Sequence, residues 1–171
     1  MSNTFTYRMP AGIAGAVGRM EIATIEPGLA DASYPCLAFG IFLKLSSGKY
    51  RPLVSGDVAA SIVGLLVRPF PVQEPIGSSA ANEAVGGGLP STSIINILKR
   101  GYMTVLVTAN GGTALANIAK GDQVYVRVTA SVAGAVGDIE AGSASGNVAV
   151  TGAYFLGGVD ASGYGEIAYN I

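Results

Sequence analysis

Apolar side chains at every second position recur in short runs along this chain. The clearest run is QVYVRVTA, residues 123–130, in which Val124, Val126 and Val128 share one face and Tyr125 and Arg127 share the other. Because successive side chains of a strand point to opposite faces, this alternation predicts a β-strand with one apolar and one mixed face. TVLVTA, residues 104–109, predicts a second strand on the same grounds.

Further runs predict more strands, and glycine and proline separate them. LAFGIFLKL, residues 37–45, predicts a strand buried on both faces, and the SSGK turn leads from it into the next strand. Four other runs predict strands at 50–54, 62–72, 147–157 and 165–171. Helical signals are limited to a turn or two near 56–67, with Asp57 as the cap, and one turn near 113–122. The pattern predicts an all-β fold, an antiparallel β-sandwich or jelly-roll-like barrel with little helix.

The sequence pattern also predicts how the chain is divided into segments. Residues 1–30 are predicted to form an extended N-terminal arm, and residues 31–171 a single β-rich domain. Within that domain, residues 73–93 are polar and rich in glycine and predict a long loop, which in a compact domain is commonly functional or disordered.

The arm contains RMPAGIAGAVGR, residues 8–19, whose glycines recur at every third position. A dinucleotide-binding turn needs G-x-G-x-x-G between a strand and a helix, and a P-loop needs Gly-Lys-Ser or Gly-Lys-Thr at its end. Neither spacing is present, because Gly18 is followed by Arg19 and Met20. The stretch is therefore interpreted as a backbone strap, in which small residues let the chain lie close against another surface.

Charge is scarce and balanced in this protein. Only 12% of the 171 residues are charged, 50% are apolar, and the formal net charge is −1. No basic run suggests a nucleic-acid partner, and no apolar run approaches the ~20 residues of a membrane-spanning helix. The N-terminus lacks the features of a signal peptide. An apolar, weakly charged exterior instead suggests a surface covered by protein partners.

Candidate chemistry is sparse. The chain has no histidine to activate its one cysteine, Cys36, which is interpreted as a small apolar filler, and no cofactor or metal-binding spacing is present. Asp138 and Glu140 would share a face of a strand, either as a paired-carboxylate hydrolase site or, preferably, as two solvated charges beside a turn. Eight tyrosines and the 73–93 loop leave open a glycan-binding β-sandwich module.

Several fragments, in their order along the chain, resemble a known family. They are YRMPAGIAG, ATIEPG, GKYRPLVSGD, GLLVRPFPVQ, ILKRGYMTV, VYVRV, AYFLGG and the terminal GEIAYNI. Together they resemble the structural cement, or decoration, proteins of tailed bacteriophage capsids. The resemblance extends from Tyr7 to Ile171 and omits residues 73–93 and 131–147.

The resemblance implies a β-rich structural protein without catalytic residues. Such a protein would bind the outside of the assembled major capsid protein shell as a homo-oligomer, a dimer or a trimer, after synthesis in the bacterial host cytoplasm. We expect the arm to lie on a neighbouring subunit or on the shell, with backbone pairing as one source of affinity. The predicted contact residues are Tyr7, Arg8, Met9, Pro10, Ile13 and Arg19, the two arginines pinning the arm to acidic or carbonyl groups.

Overall fold

The computed structural model describes residues 12–68, 94–132 and 134–171. In this part of the chain the structure is almost entirely β, as predicted. The nine strands are β1 Thr24–Leu29, β2 Phe42–Ser46, β3 Lys49–Pro52, β4 Ile62–Leu66, β5 Ile94–Leu106, β6 Gln123–Arg127, β7 Ile139–Ala141, β8 Asn147–Phe155 and β9 Tyr164–Tyr169. Three single 3-10 turns accompany them, at Met20–Ile22, Ala59–Ser61 and Leu115–Asn117.

All ladders between these strands are antiparallel, and β5 belongs to both halves of the structure. Its first half pairs with β1 and β4, and its second half, from Gly101, pairs with β9. The strand order is β3-β2-β4-β5-β9-β8-β6-β7, with β1 beside β5. A 13-residue strand can serve two sheets because it is far longer than the usual five or six residues.

Each half closes on itself through a single parallel bridge. Ala30, just after β1, bridges to Tyr50 of β3, and Val107, just after β5, bridges to Ile139 of β7. The first half is therefore a ring of β1, β5, β4, β2 and β3, and the second a ring of β5, β9, β8, β6 and β7. These closures shorten the open sheet edges, which are the usual route to unwanted strand pairing.

Apolar side chains fill the two halves. The larger cluster includes the apolar face predicted for residues 123–130, with Val124 and Val126 of β6 fully buried and Val128, just after β6, nearly so. The Phe42 ring meets the Tyr169 ring edge-on, with centroids 5.9 Å apart, and joins the first half to the second. The smaller cluster lies in the first half: Ala30, Cys36, Phe39, Leu43, Leu66, Ile95 and Ile97.

Some sequence predictions need correction. The strand predicted at 37–45 begins only at Phe42, and Leu37 is 79% exposed. Gly40 breaks the run, since it has a positive φ of 72° and its N–H donates to the Leu66 carbonyl. Asp57 caps no helix. It accepts hydrogen bonds from the Lys44 ammonium at 2.6 Å and from the Val54 N–H at 2.7 Å.

Candidate interaction surface

The described part of the arm begins as a strap along the edge of β5. The N–H of Gly15 donates to Thr104 O, the N–H of Thr104 donates to Ala16 O, and the N–H of Gly18 donates to Tyr102 O, at 2.8–3.0 Å. Val17 forms an isolated antiparallel bridge with Met103. Residues 24–29 then form β1, which also pairs with β5. Residues 12–30 therefore pack on the chain's own sheet, and the division into arm and domain at residue 30 stays a prediction.

The strap lies close to its support because glycines stand at the points of contact. Gly15 has a φ of 85°, and a Cβ at this position would lie 2.6 Å from Phe39 Cβ and 3.0 Å from the backbone nitrogen of Arg68. A Cβ at Gly18 would collide with the Glu166 carboxylate. The expectation that small residues bring this backbone against a surface is met, and the surface in the described structure is the chain's own.

Arg19 fastens the end of the strap to the same sheet. Its guanidinium carbon lies 4.3 Å from the centre of the Tyr102 ring, and its Nη2 lies 3.9 Å from Glu166 Oε2. The Arg19 side chain is still 53% exposed. The predicted pinning by Arg19 therefore has an intramolecular partner in this structure, and its role in binding another subunit stays a prediction.

Two apolar grooves flank the strap, and the Ile13 and Arg68 side chains line both of them. Groove A has a volume of about 440 Å³. Its lining includes Phe39, Ile41, Leu106, Asp138, Ile139 and Tyr164. Groove B has a volume of about 520 Å³, and its lining includes Ala16, Val17, Met20, Ile25, Val67 and Asn96.

Ile13 and Arg68 form the ridge between the grooves. Ile13 is 58% exposed and starts a tight turn, in which its carbonyl accepts from the Ala16 N–H. Arg68 Nε donates to Ala14 O at 3.1 Å, and its guanidinium lies 4.6 Å from the centre of the Phe39 ring. Burial lowers the pKa of Arg68 from its ordinary value, and the Coulombic interaction with Tyr164 opposes that shift. Arg68 thus holds the turn in place from below.

Two residues that line the grooves are exposed apolar side chains. Met20 is 65% exposed on groove B, and Leu106 is 46% exposed on groove A. Contiguous apolar surface of this kind commonly marks a protein interaction site. Of the six predicted contact residues, Ile13 lies at the centre of this surface and Arg19 at the end of the strap. Tyr7, Arg8, Met9 and Pro10 lie outside the described residues, as does the predicted 73–93 loop.

Ile13 is among the predicted contact residues, whose role stays a prediction, whereas the neighbouring Arg68, Leu106 and Met20 are not among them. The signal for Leu106 was present, because it stands on the face of TVLVTA opposite Val105, which is fully buried. The alternation alone does not determine whether the face with Leu106 contacts solvent, the core or a partner protein. Arg68 carried no local signal, since its position under the strap depends on a turn 54 residues away.

Asp138 and Glu140 do not form the paired-carboxylate site, and they are not two solvated charges either. Glu140 is fully buried, and its carboxylate accepts from Arg127 Nε at 2.7 Å, Arg127 Nη2 at 3.2 Å and Asn147 Nδ2 at 2.8 Å. Asp138 instead lines groove A and accepts from the Ala135 N–H at 2.9 Å. The solvated interpretation failed for Glu140 because its counter-charge comes from β6, thirteen residues away.

Cys36 has the environment predicted for an inert thiol. Its residue surface is 3% exposed within the smaller core cluster. Burial raises the pKa of the thiol to about 11, which keeps it protonated at neutral pH. Among residues 12–68, 94–132 and 134–171, no three His, Cys, Asp or Glu side chains are grouped so that they could hold a metal ion. The same residues include no helix long and apolar enough to cross a membrane.

Comparison with known proteins identifies the family. A family model described as "Structural cement protein (E217 gp24/Pam3 gp6)" matches residues 1–170. The chain belongs to the structural cement protein family of phages. Comparison with curated proteins gives no match.

A solved structure shares the cement protein's fold. A chain from the structure titled "The capsid of Myoviridae Phage XM1" superposes with a TM-score of 0.69 at 20% sequence identity. The match covers 99% of the cement protein and 97% of that chain, so the fold is shared over the full described length.

Family membership selects among the three hypotheses raised by the sequence. A cement protein is a capsid-stabilising structural protein of the phage virion, and the family is not an enzyme family. The resemblance found from scattered fragments is therefore confirmed over almost the whole chain.

Proposed function

We propose that this cement protein binds the outer surface of the assembled major capsid protein shell, without enzymatic activity, and stabilises the shell as a homo-oligomer. The match of the structural cement model to residues 1–170 carries this proposal. A shell-binding role needs a surface for protein rather than a reaction centre. The grooves at Ile13 and the exposed Met20 and Leu106 supply such a surface.

The low charge of the chain supports a lasting contact. Obligate interfaces are larger and more apolar than transient ones, commonly above about 2,000 Å². The net charge is −1 and half of the residues are apolar. Few charged groups therefore lose their hydration or repel a partner when the surface is covered. We assign Tyr7, Arg8, Met9, Pro10, Ile13 and Arg19 to the contact with the shell or with a neighbouring copy.

Binding to undecorated shells tests the proposal. Purified protein is mixed with shells, the shells are pelleted, and bound protein and the temperature of shell disruption are measured. Saturable binding that raises this temperature supports the proposal, and full-chain protein that leaves both unchanged contradicts it. Ile13→Asp and Met9→Asp are expected to reduce binding at least tenfold, since a charge would be buried in an apolar contact. Val58→Asp is the control, because Val58 is equally exposed, at 60%, and lines neither groove.

A further inference from the structure

Groove A has a particular chemical character. Apolar side chains form most of its lining, with Phe39, Ile41, Leu106 and Ile139 among them. Among the described residues, the charged ones in its lining are Arg68, whose Nε donates to Ala14 O, and Asp138. An occupant should therefore present apolar side chains in an extended arrangement, with a cation near Asp138.

The sequence before Gly12 has this pattern. In TFTYRM, residues 4–9, Phe5, Tyr7 and Met9 alternate with two threonines and Arg8. A segment with this spacing has one apolar face when extended. Arg8 is the only charged side chain in the first eighteen residues, and its charge is complementary to that of Asp138 in the groove lining.

Pro10 stiffens the chain just before Gly12, and this favours an occupant from a different copy. Pro10 has a fixed φ and restricts Met9 to extended conformations. These two restrictions leave the chain little freedom to turn back at once into the groove beside its own Ile13. The leading segment, residues 1–11, spans about 36 Å when extended, enough to reach a neighbouring molecule.

From these observations we infer that residues 5–9 of one copy dock in groove A of a second copy, with Tyr7 and Met9 against Leu106 and Ile139 and Arg8 beside Asp138. Exchange of a leading strand between copies links neighbours through surface that each copy already carries. The inference deepens the self-association in the proposed function and rests on it.

Engineered cysteines test the exchange. The native Cys36 is buried and poorly reactive, so it contributes little background. Chains with Met9→Cys are mixed with chains with Leu106→Cys, and a short bismaleimide is added, with and without shells. A covalent dimer that forms in the mixture, and to a much smaller extent in either variant alone, supports the inference. Met9→Cys mixed with Val58→Cys is the control, because Val58 lies outside groove A.

The double variant Met9→Cys/Leu106→Cys distinguishes exchange from folding back. If its link is only intramolecular, or if no link forms with or without shells, the inference is overturned. Shell binding is measured separately on the wild-type chain. Failure of the exchange therefore leaves the proposed function standing or falling on its own experiment.

A charge in the groove provides a second measurement. Leu106→Glu is expected to weaken self-association about tenfold or more by light scattering, because the carboxylate would have to be desolvated. Leu45→Glu is the matched control, since Leu45 has a similar exposure, 51% against 46%, and lies on the β2–β3 hairpin. Equal weakening in both variants contradicts docking in groove A.

Discussion

Arg127 of β6 holds both carboxylate oxygens of Glu140 of β7, at 2.7 and 3.2 Å, and both side chains are almost completely buried. The same guanidinium donates to the carbonyls of Asn110 and Ser145, each at 3.1 Å. It also donates to the Ser131 hydroxyl at 3.2 Å, so the segments after β5, β6 and β7 all meet at this pair of side chains. Buried pairs of this kind are costly to break, because the remaining partner is left as an unpaired charge.

Removing one partner of this pair should destabilise the fold strongly. Glu140→Gln is expected to lower the free energy of unfolding by about 3–5 kcal/mol, measured by urea denaturation. In the double variant Arg127→Met/Glu140→Leu no charge remains buried, so part of this loss should be recovered. A single variant within about 1 kcal/mol of wild type contradicts the assigned role.

The strap should depend on Gly15 for two reasons, its positive φ and its close approach to Phe39. Gly48 also has a positive φ, of 77°, but a Cβ there would meet nothing within 4 Å. Gly48→Ala is therefore expected to cost about 1 kcal/mol in thermal or urea unfolding, from backbone strain alone. Gly15→Ala is expected to cost about 1–3 kcal/mol more, from overpacking. Equal losses in the two variants are inconsistent with a close-packed strap.

The Arg19→Ala variant separates a role of Arg19 in stabilising the fold from a role in binding the shell. Its exposed ion pair and its contact with Tyr102 should together stabilise the isolated protein by no more than about 1 kcal/mol, so Arg19→Ala should unfold almost as wild type does. If Arg19 also contacts the shell, as proposed, the same variant should bind shells several-fold more weakly. Unchanged shell binding removes Arg19 from the proposed contact residues.

Alkaline pH should destabilise the protein through Cys36. The thiol pKa is raised from 9.0 to about 11 in the folded state, so the folded state holds its proton more tightly than the unfolded state does. This contribution is fully present below pH 9 and is lost as the pH rises from 9 to 11. It amounts to about 2–3 kcal/mol.

The Cys36 contribution is isolated by urea denaturation of wild type and Cys36→Ala at pH 8 and at pH 11. Wild type should lose more stability than Cys36→Ala over this interval. Tyr169, whose pKa burial also raises, is present in both proteins and cancels in the difference. Parallel losses in the two proteins would show that the thiol ionises equally in both states.

The sequence by itself determined the class of fold and the main strands. The three valines of residues 123–130 stand at alternate positions because a strand turns successive side chains to opposite faces, and the structure buries all three. The SSGK turn likewise lies between β2 and β3, where Ser47 and Gly48 both have a positive φ. These features are local, so a window of a few residues contains the information that sets them.

Only the tertiary structure decided which surfaces meet. Arg127 and Glu140 lie on the mixed faces of β6 and β7, and their burial follows from the pairing of Tyr125 with Glu140 across those strands. The glycine stretch lies on β5 and places Ile13 above Arg68, which follows it by more than fifty residues. Strand pairing at such separations depends on how the whole core packs, and no local pattern of apolar and polar side chains records it.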